Sequence, residues 1–219
     1  MKIDAEKKLR VAIIEDSKTM LVTLKGLIGK TDGMEVCGTW ESAEAALPKI
    51  HTCEPDVVLV DLELPGMHGH DCIRILSAVL PCAAFVVLTI HDDAERVFGA
   101  IEAGANGYLL KNSQHQEIID GIHMAQKGGS PLSPAVASMV IRAFQKNPPK
   151  KPTVPLPSLS PRERQILDHL AKGSVPKEAA ADLGISYETV RDYLKQIYQK
   201  LHVRSRTEAV LRYIDAKEA

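Results

Sequence analysis

Five short apolar runs, separated by longer segments of helical period, constrain the fold of this chain more than any other feature of its sequence. The runs are VAIIED, EVCGTW, DVVLVDLEL, AAFVVLTI and GYLLK, which begin at residues 11, 35, 56, 83 and 107. Strands that are apolar on both faces belong in a parallel sheet covered by helices. The intervening segments agree, because 18–29 and 115–127 each gather their apolar residues on one helical face. The pattern predicts a doubly wound α/β domain with a five-stranded parallel sheet.

A proline-rich stretch divides the chain into two parts. Residues 147–158, NPPKKPTVPLPS, hold five prolines in twelve positions, and such a segment cannot sustain a helix or a sheet ladder. Downstream, 160–214 contains only short helical segments separated by turn residues. We therefore expect an α/β domain over 1–144, a Pro/Lys-rich linker over 145–157, and an all-α domain of four helices over 158–219.

Charge is distributed unevenly between these parts. Residues 1–144 carry 13 Lys and Arg against 19 Asp and Glu, whereas residues 145–219 carry 14 against 9. A basic second part after an acidic first part favours contact between the second part and a polyanion. No apolar run approaches the roughly 18 residues of a membrane span, and the N-terminus lacks the apolar core of a secretion signal. The sequence thus predicts a cytoplasmic protein with no membrane partner.

The four cysteines do not form a recognisable motif. Cys37, Cys53, Cys72 and Cys82 lie 16, 19 and 10 residues apart, which matches neither a CxxC redox pair nor the spacing of a zinc finger. We expect reduced thiols that are mostly buried.

Polar side chains stand at the ends of four of the predicted strands. Glu15 and Asp16 end the first strand, Asp61 the third, Thr89 the fourth and Lys111 the fifth. In an open parallel sheet, ligands bind beyond the carboxyl ends of the strands. Carboxylates that converge there need a cation, and Mg²⁺ prefers oxygen ligands. Between that ion and the lysine, Asp61 can act as a nucleophile toward phosphorus and form an aspartyl phosphate.

At these motifs the chain resembles the receiver domain of two-component response regulators, over residues 10–128. The resemblance implies a flavodoxin-like fold and a sensor histidine kinase as the phosphoryl donor. It also implies roles for individual residues: Asp61 as phosphoacceptor, Glu15, Asp16, Asp61 and the Glu63 carbonyl as Mg²⁺ ligands, Lys111 as phosphoryl contact, and Thr89 with Tyr108 as switch pair.

In the C-terminal part, GISYETVRDYLKQIYQKLHVRSRTEAV carries most of the information. Within it, Val190, Leu194, Ile197 and Leu201 recur at helical spacing and leave a polar face opposite. A preceding helix and a short turn make this helix-turn-helix geometry, in which the second helix lies in the major groove of DNA.

These residues resemble the LuxR-type DNA-binding domain of NarL/FixJ-family regulators, through "LSPRERQIL", "KEAAADLGIS", "TVRDYLKQIYQKL" and "VRSRTEAV". The resemblance implies binding to double-stranded DNA. Because acids offset bases on the polar face, we expect modest affinity for one domain and a homodimer on paired half-sites when the protein is active. The implied DNA-binding residues are Lys177, Ser186, Thr189, Arg191, Asp192 and Lys195.

The two resemblances together imply a phosphorylation-controlled transcriptional regulator rather than an enzyme. Two alternatives remain open. A phosphotransferase or phosphatase can use the same carboxylates, although Asp61-x-Glu63 lacks the second aspartate of the common DxD pattern. In the second alternative, the chain is a DNA-binding or scaffold protein that acts independently of phosphorylation, and its receiver-like domain only docks a partner.

Overall fold

The structure is a computed structural model that describes residues 8–91, 93–146, 159–203 and 205–217. Most of the predicted linker, from residue 147 onward, lies outside the described residues. None of the described helices is long and apolar enough to cross a membrane.

The N-terminal part is built on a parallel sheet with the strand order β2-β1-β3-β4-β5. The doubly wound five-stranded fold predicted from the apolar runs is therefore confirmed. Its strands are β1 Leu9–Ile14, β2 Met34–Trp40, β3 Val57–Val60, β4 Ala84–Thr89 and β5 Gly107–Leu110.

Helices cover both faces of this sheet. One face packs against α1 and α5, and the other against α2, α3, α4 and α6. The helices of this part are α1 Lys18–Gly29, α2 Ala43–Ala46, α3 Gly69–Val79, α4 Ala94–Ala103, α5 His115–Gln126 and α6 Pro134–Lys146, with a 3₁₀ helix at Ile50–Cys53.

The third strand is shorter than its apolar run. β3 ends at Val60, so Asp61 is the first residue beyond the sheet rather than a residue within it. Leu62 and Leu64 continue the apolar run but are buried in the following loop. Burial of a loop leucine contributes roughly 1.5–3 kcal/mol, and it ties the loop that follows Asp61 to the core.

Helix α6 and the segment before it were not predicted. Residue Leu132 forms a bridge beside Tyr108 of β5, and the Tyr108 amide donates to the Pro131 carbonyl at 2.8 Å. Val136 of α6 is fully buried in the core. This segment covers the outer edge of β5, an edge strand that otherwise leaves backbone groups unpaired.

The described C-terminal residues form the four helices that the sequence predicted. They enclose a separate apolar core that includes Ile166, Val190, Leu194 and Ile197. The helices are α7 Pro161–Ala171, α8 Pro176–Asp182, α9 Tyr187–Leu201 and α10 Arg206–Lys217.

Candidate functional site

Lys111 and three carboxylates meet beyond the carboxyl ends of the strands. The Nζ atom of Lys111 donates hydrogen bonds to the Asp61 and Glu15 carboxylates, each at 2.8 Å. Glu15 and Asp61 are buried, whereas Asp16 is exposed. Carboxylate oxygens of Glu15, Asp16 and Asp61 all lie within 4.8 Å of one another. The structure thus brings together the acids and the lysine that follow the predicted strands.

Backbone hydrogen bonds that extend the sheet hold these residues in place. The Asp61 amide donates to the Ile14 carbonyl at 2.9 Å, and the Lys111 amide donates to the Thr89 carbonyl at 2.8 Å. The backbone of Asp61 and of Lys111 is therefore still held by hydrogen bonds that continue the sheet. Rigid placement of this kind favours catalysis by orientation.

Gly69, the first residue of α3, allows the loop after Asp61 to close tightly. Its amide donates to the Leu62 carbonyl at 3.0 Å. A Cβ atom at this position would lie 2.2 Å from the Asp61 carbonyl oxygen and 2.7 Å from the Leu62 Cα atom. Both atoms are backbone and cannot rotate away, so only glycine fits here without displacing Asp61.

Burial and the lysine act in opposite directions on the charges of the cluster. Burial raises the pKa of Glu15 above its usual range, and the contact with Lys111 only partly opposes this. Burial alone would lower the pKa of Lys111, but its hydrogen bonds to Asp61 and Glu15 leave that pKa raised. Lys111 is therefore protonated at neutral pH. One ammonium group facing three carboxyl groups leaves an excess of oxygen donors and negative charge, which suits a hard divalent cation such as Mg²⁺.

The side chain of Glu63 lies outside this acidic cluster. Its carboxylate contacts His91 Nε2 at 2.7 Å and an Arg96 guanidinium nitrogen at 3.0 Å. The contacts with His91 and Arg96 hold the pKa of Glu63 below its usual value. The prediction assigned only the backbone carbonyl of Glu63 to the metal. The carboxylate of Glu63 instead joins the loop after Asp61 to α4. These pairs arise from tertiary packing and were not predicted from the sequence.

The predicted switch residues are both buried. Thr89 is the last residue of β4 and is fully buried, and the Tyr108 ring is 1% exposed. The Tyr108 hydroxyl donates to the His91 carbonyl at 2.9 Å. Because His91 also contacts Glu63, the tyrosine is linked through one loop residue to the neighbourhood of Asp61.

Helix α9 has the buried stripe that the sequence predicted, and Ser186 caps its start. Val190 and Leu194 are fully buried, and the Ser186 hydroxyl accepts from the Thr189 amide at 3.1 Å. Asp192 and Ser186 are exposed, and the remaining predicted DNA-binding residues, Lys177, Thr189, Arg191 and Lys195, are half-buried.

Polar contacts join the two domains at the amino ends of the strands, opposite the acidic cluster. They come from α8, α9 and α10 on one side and from residues that precede strands or end α5 on the other. The contacts are Lys177 with the Asp56 carboxylate, the Tyr198 hydroxyl with the Pro81 carbonyl at 3.0 Å, Arg206 with the Ala125 carbonyl at 3.1 Å, and Asn106 with Thr207 at 3.3 Å.

This interface occupies part of the predicted DNA-binding surface. The Lys177 ammonium group is paired with Asp56. The Nε atom of Arg191 is buried and has no hydrogen-bond partner within the described part of the chain, and its charge acts on Cys82 of the N-terminal domain. In this arrangement, two basic residues predicted to contact DNA face protein instead.

Two tyrosines of the interface were not predicted from the sequence, namely Tyr187, which interacts with Cys82, and Tyr198. The Tyr198 side chain packs into the C-terminal core and also reaches Pro81. One pattern in the sequence indicates this surface, because Tyr187, Arg191 and Tyr198 recur four and seven residues apart and so share one side of α9.

Comparisons with known proteins match both parts of the chain. Residues 11–123 match the family model described as response regulator receiver domain, and residues 157–213 match bacterial regulatory proteins, luxR family. The chain is 31% identical to the nitrate/nitrite response regulator protein homolog of Haemophilus influenzae, covering 95% of this chain and 97% of that protein. It is 32% identical to the transcriptional regulatory protein LiaR of Bacillus subtilis, covering 93% and 95%.

A solved structure gives the same result. The crystal structure of the response regulator ChrA, from a heme-sensing two-component system, aligns with a TM-score of 0.52 at 30% identity and covers 97% of this chain and 100% of that one. Each of these proteins matches the present chain across both of its domains.

Proposed function

This chain belongs to the transcriptional response regulators that join a receiver domain to a LuxR-family DNA-binding domain, and from that premise we propose that Asp61 is the residue whose phosphorylation controls DNA binding. The single observation that carries the proposal is the contact of Lys111 with the Asp61 carboxylate at 2.8 Å inside a cluster of further carboxylates. It supports a site at which a carboxylate oxygen, a fixed ammonium group and a cation can meet one phosphoryl group.

In the proposed reaction, a carboxylate oxygen of Asp61 attacks the phosphorus of a phosphohistidine on a sensor histidine kinase. An O–P bond forms and the P–N bond breaks, and the leaving histidine nitrogen takes up a proton. Lys111 offsets negative charge on the phosphoryl oxygens. Glu15, Asp16, Asp61 and the carbonyl of Glu63 would hold Mg²⁺, which supplies further positive charge to these oxygens when it is bound.

We assign Thr89 and Tyr108 to the step that follows phosphorylation. A phosphoryl group on Asp61 adds oxygens that a threonine hydroxyl can bond. Movement of the loop that carries Thr89 and His91 would act on the Tyr108 hydroxyl, which bonds the His91 carbonyl. The same loop is joined to Glu63, so both sides of the pocket would respond to the new charge.

The output proposed for the C-terminal domain is the binding of double-stranded DNA by α9. Arg191 and Lys195 would contact phosphates or bases, Thr189 and Ser186 the backbone at the helix start, and Asp192 a base edge. Lys177 would add a phosphate contact from α8. We further propose a homodimer on paired half-sites, because this mixed-charge face gives a single domain only modest affinity.

In the arrangement described here, the domain interface limits access to DNA. Lys177 is paired with Asp56 and Arg191 is half-buried near Cys82. DNA binding by these residues therefore requires the domains to separate, and we assign that separation to the phosphorylated state. The polar contacts that must be broken are a partly exposed ion pair and two neutral hydrogen bonds, which contribute about 1 kcal/mol each, and the bond from the charged Arg206 side chain, which contributes about 1.5–3 kcal/mol.

The proposal also includes the domain bounds, the cellular location and the absence of an enzymatic activity that the sequence predicts. Domains over 1–144 and 158–219 with a linker over 145–157, a cytoplasmic location, and a regulator that turns over no substrate of its own are all predictions from the sequence. The known relatives support the last of these only by being named as regulators.

The test compares Asp61→Asn with Asp71→Asn, an exposed aspartate in the first turn of α3. Both variants and the unmodified protein are incubated with acetyl phosphate and Mg²⁺, and the mass of the intact chain is measured. We expect the phosphoryl mass on the unmodified protein and on Asp71→Asn, and none on Asp61→Asn. Undiminished incorporation in Asp61→Asn would remove the assignment.

A second measurement separates phosphorylation control from constitutive DNA binding. Beryllofluoride with Mg²⁺ mimics a phosphoryl group on an aspartate, so its addition should raise DNA affinity in the unmodified protein and leave Asp61→Asn unchanged. Equal DNA affinity with and without the mimic would favour the alternative in which the receiver only docks a partner.

A further inference from the structure

Two of the four cysteines meet at the outer strand of the receiver sheet, although 16 residues separate them in the chain. Cys37 lies in β2 at a β-bulge. Val36 pairs with Val11 and Gly38 pairs with Ala12, so Cys37 is the extra residue without a ladder partner. A bulge redirects the side chain that it carries. The bulge places Cys37 and Trp40 against the same core.

Cys53 ends the 3₁₀ helix that packs beneath this strand. Its thiol donates to the Ile50 carbonyl at 3.1 Å, and the Cys37 side chain interacts with the Cys53 sulfur. The two side chains are both half-buried, and Cys72 by contrast is fully buried. Both side chains pack against the same apolar core, so the fold brings together two thiols that could join as a disulfide.

The surroundings of the pair favour the thiolate of Cys53. The hydrogen bond from Cys37 and the charge of Arg10 hold the pKa of Cys53 below its usual value, against the effect of burial. The same hydrogen bond raises the pKa of Cys37. The Arg10 Nε atom donates to the Cys53 carbonyl at 2.9 Å, which fixes the guanidinium group beside the pair. A lowered pKa and partial exposure are the properties of reactive cysteines.

We propose that Cys37 and Cys53 are an oxidation site, which a hydroperoxide converts to an intramolecular disulfide. The Cys53 thiolate attacks one peroxide oxygen, so that an S–O bond forms, the O–O bond breaks and the released hydroxide takes up a proton. The Cys37 sulfur then attacks the Cys53 sulfenic acid, the S–S bond forms, and the displaced hydroxide takes the Cys37 proton. Two thiols lose two electrons and one hydrogen peroxide yields two waters.

Arg10 also argues against a metal as the ligand of this pair. A guanidinium group held at the Cys53 carbonyl disfavours a bound cation, and two sulfurs are too few for the tetrahedral sites that Zn²⁺ occupies in proteins. A neutral peroxide is not repelled by the guanidinium group of Arg10. The positive charge of Arg10 also stabilises the hydroxide that is released when the O–O bond breaks.

The position of the pair links it to the domain interface. The amide of Arg10 donates to the Asp56 carboxylate at 3.0 Å while its side chain bonds Cys53. Asp56 in turn pairs with Lys177 of the DNA-binding domain. A disulfide at Cys53 would therefore constrain the segment that carries an interface residue.

The test treats the purified full-length chain with a small excess of hydrogen peroxide, without phosphoryl donor. Free thiols are then counted in denaturant, and digested protein is mapped by mass spectrometry. We expect the count to fall from four to two in monomeric protein, with one linked peptide pair that contains Cys37 and Cys53. Dithiothreitol should restore four thiols.

Cys53→Ser and Cys82→Ser provide the matched comparison, because Cys82 is also half-buried but lies at the domain interface. Cys82→Ser should still lose two thiols, and Cys53→Ser should form no internal disulfide. If four thiols survive in the unmodified protein, or if the linked peptides contain Cys72 or Cys82 instead, the proposal is wrong. Mapping the unmodified chain decides this even where a variant folds poorly.

Discussion

The ammonium group of Lys111 lies 2.8 Å from the Asp61 carboxylate, although the two residues follow strands that are not neighbours in the sheet. β4 lies between β3 and β5, so the lysine side chain crosses the end of a strand to reach the acid. A hydrogen bond between charged groups contributes about 1.5–3 kcal/mol. This contact gives the pocket a positive charge that is already oriented before any phosphoryl donor arrives.

Replacing Lys111 with Gln should slow phosphorylation by a small-molecule donor. The loss of one oriented donor to transition-state oxygens costs about 10²–10³ in rate in other enzymes, and we expect a reduction of at least tenfold with acetyl phosphate. Lys25→Gln, an exposed lysine of α1, is the control and should keep the rate of the unmodified protein. Equal initial rates for both variants would exclude Lys111 from the reaction.

Replacing Gly69 with Ala should impair the same reaction through the backbone. The added methyl group meets the Asp61 carbonyl oxygen and the Leu62 Cα atom, so the loop that carries Asp61 must move. We expect slower phosphorylation and a loss of about 1–3 kcal/mol of stability.

Gly26→Ala serves as the comparison for that variant, because a Cβ atom at Gly26 in α1 meets nothing within 4 Å. Alanine there should stabilise the helix by up to about 1 kcal/mol. Thermal unfolding and phosphorylation kinetics of both variants provide the check, and a Gly69→Ala protein that behaves like Gly26→Ala would show that the loop tolerates the methyl group.

Replacing Asp56 with Asn should strengthen DNA binding by unphosphorylated protein. The change removes the charge that pairs with Lys177 but keeps an oxygen for the Arg10 amide. A partly exposed ion pair contributes about 0.2–1 kcal/mol, so the expected gain in affinity is about 1.4- to fivefold. Titration of fluorescent DNA measures it, with Asp71→Asn as the control; an unchanged affinity would mean that this pair does not restrain the DNA-binding domain.

Arg191→Ala combined with Lys195→Ala should weaken DNA binding and reduce its dependence on salt. If each residue neutralises one phosphate, the slope of log K against log salt concentration falls by about two. Lys172→Ala, an exposed residue at the end of α7, should leave the slope unchanged. An unaltered slope in the double variant would contradict the role of α9 as the reading helix.

Glu163→Gln should destabilise the DNA-binding domain in a pH-dependent way. Glu163 is 1% exposed, and its carboxylate accepts from the Ser160 amide at 2.7 Å and from Lys200 at 2.8 Å. Burial raises the pKa of Glu163, but these hydrogen bonds lower it by more. We expect a loss of about 1–3 kcal/mol at pH 7, seen as faster amide hydrogen exchange in α7 and α9.

The sign of the pH dependence follows from the lowered pKa in the folded state. Stabilisation by the charged carboxylate is fully present above the unfolded pKa of about 4.3 and is lost as pH falls through the lower folded value. The difference in the free energy of unfolding between Glu163→Gln and the unmodified protein should therefore stay constant above about pH 5 and become smaller at more acid pH. Glu178→Gln, which alters an exposed carboxylate at the start of α8, is the control and should unfold like the unmodified protein at pH 7.

The sequence predicted that the acids and Lys111 meet because their placement depends on local rules. Four of the five apolar runs carry a polar residue at or near the predicted strand end, and parallel strands bring all their carboxyl ends to one edge. That rule alone places Asp61 and Lys111 together, although it gives neither their 2.8 Å contact nor the exposed position of Asp16. The end of β3 at Val60 also required the structure, since Leu62 and Leu64 continue the apolar pattern in a buried loop.

The domain interface and the thiol pair could not be predicted from the sequence, for different reasons. Asp56 and Lys177 are 121 residues apart, and nothing in a list of charges indicates which acid meets which base. Cys37 depends on one extra residue in β2, which redirects every side chain that follows it. Helix α6 was missed because its role is to cover the edge of β5, which is known only once the strand order is known.

The uniform direction of the strands gives the receiver two ends with separate tasks. Under the proposed function, residues at the carboxyl ends would determine how fast a phosphoryl group arrives and leaves, while Asp56, Pro81 and Asn106 at the amino ends contact the second domain. Substitutions at the amino ends can therefore set the resting level of gene control in a given organism without altering the chemistry, so that one phosphorylation pocket serves regulators with very different thresholds.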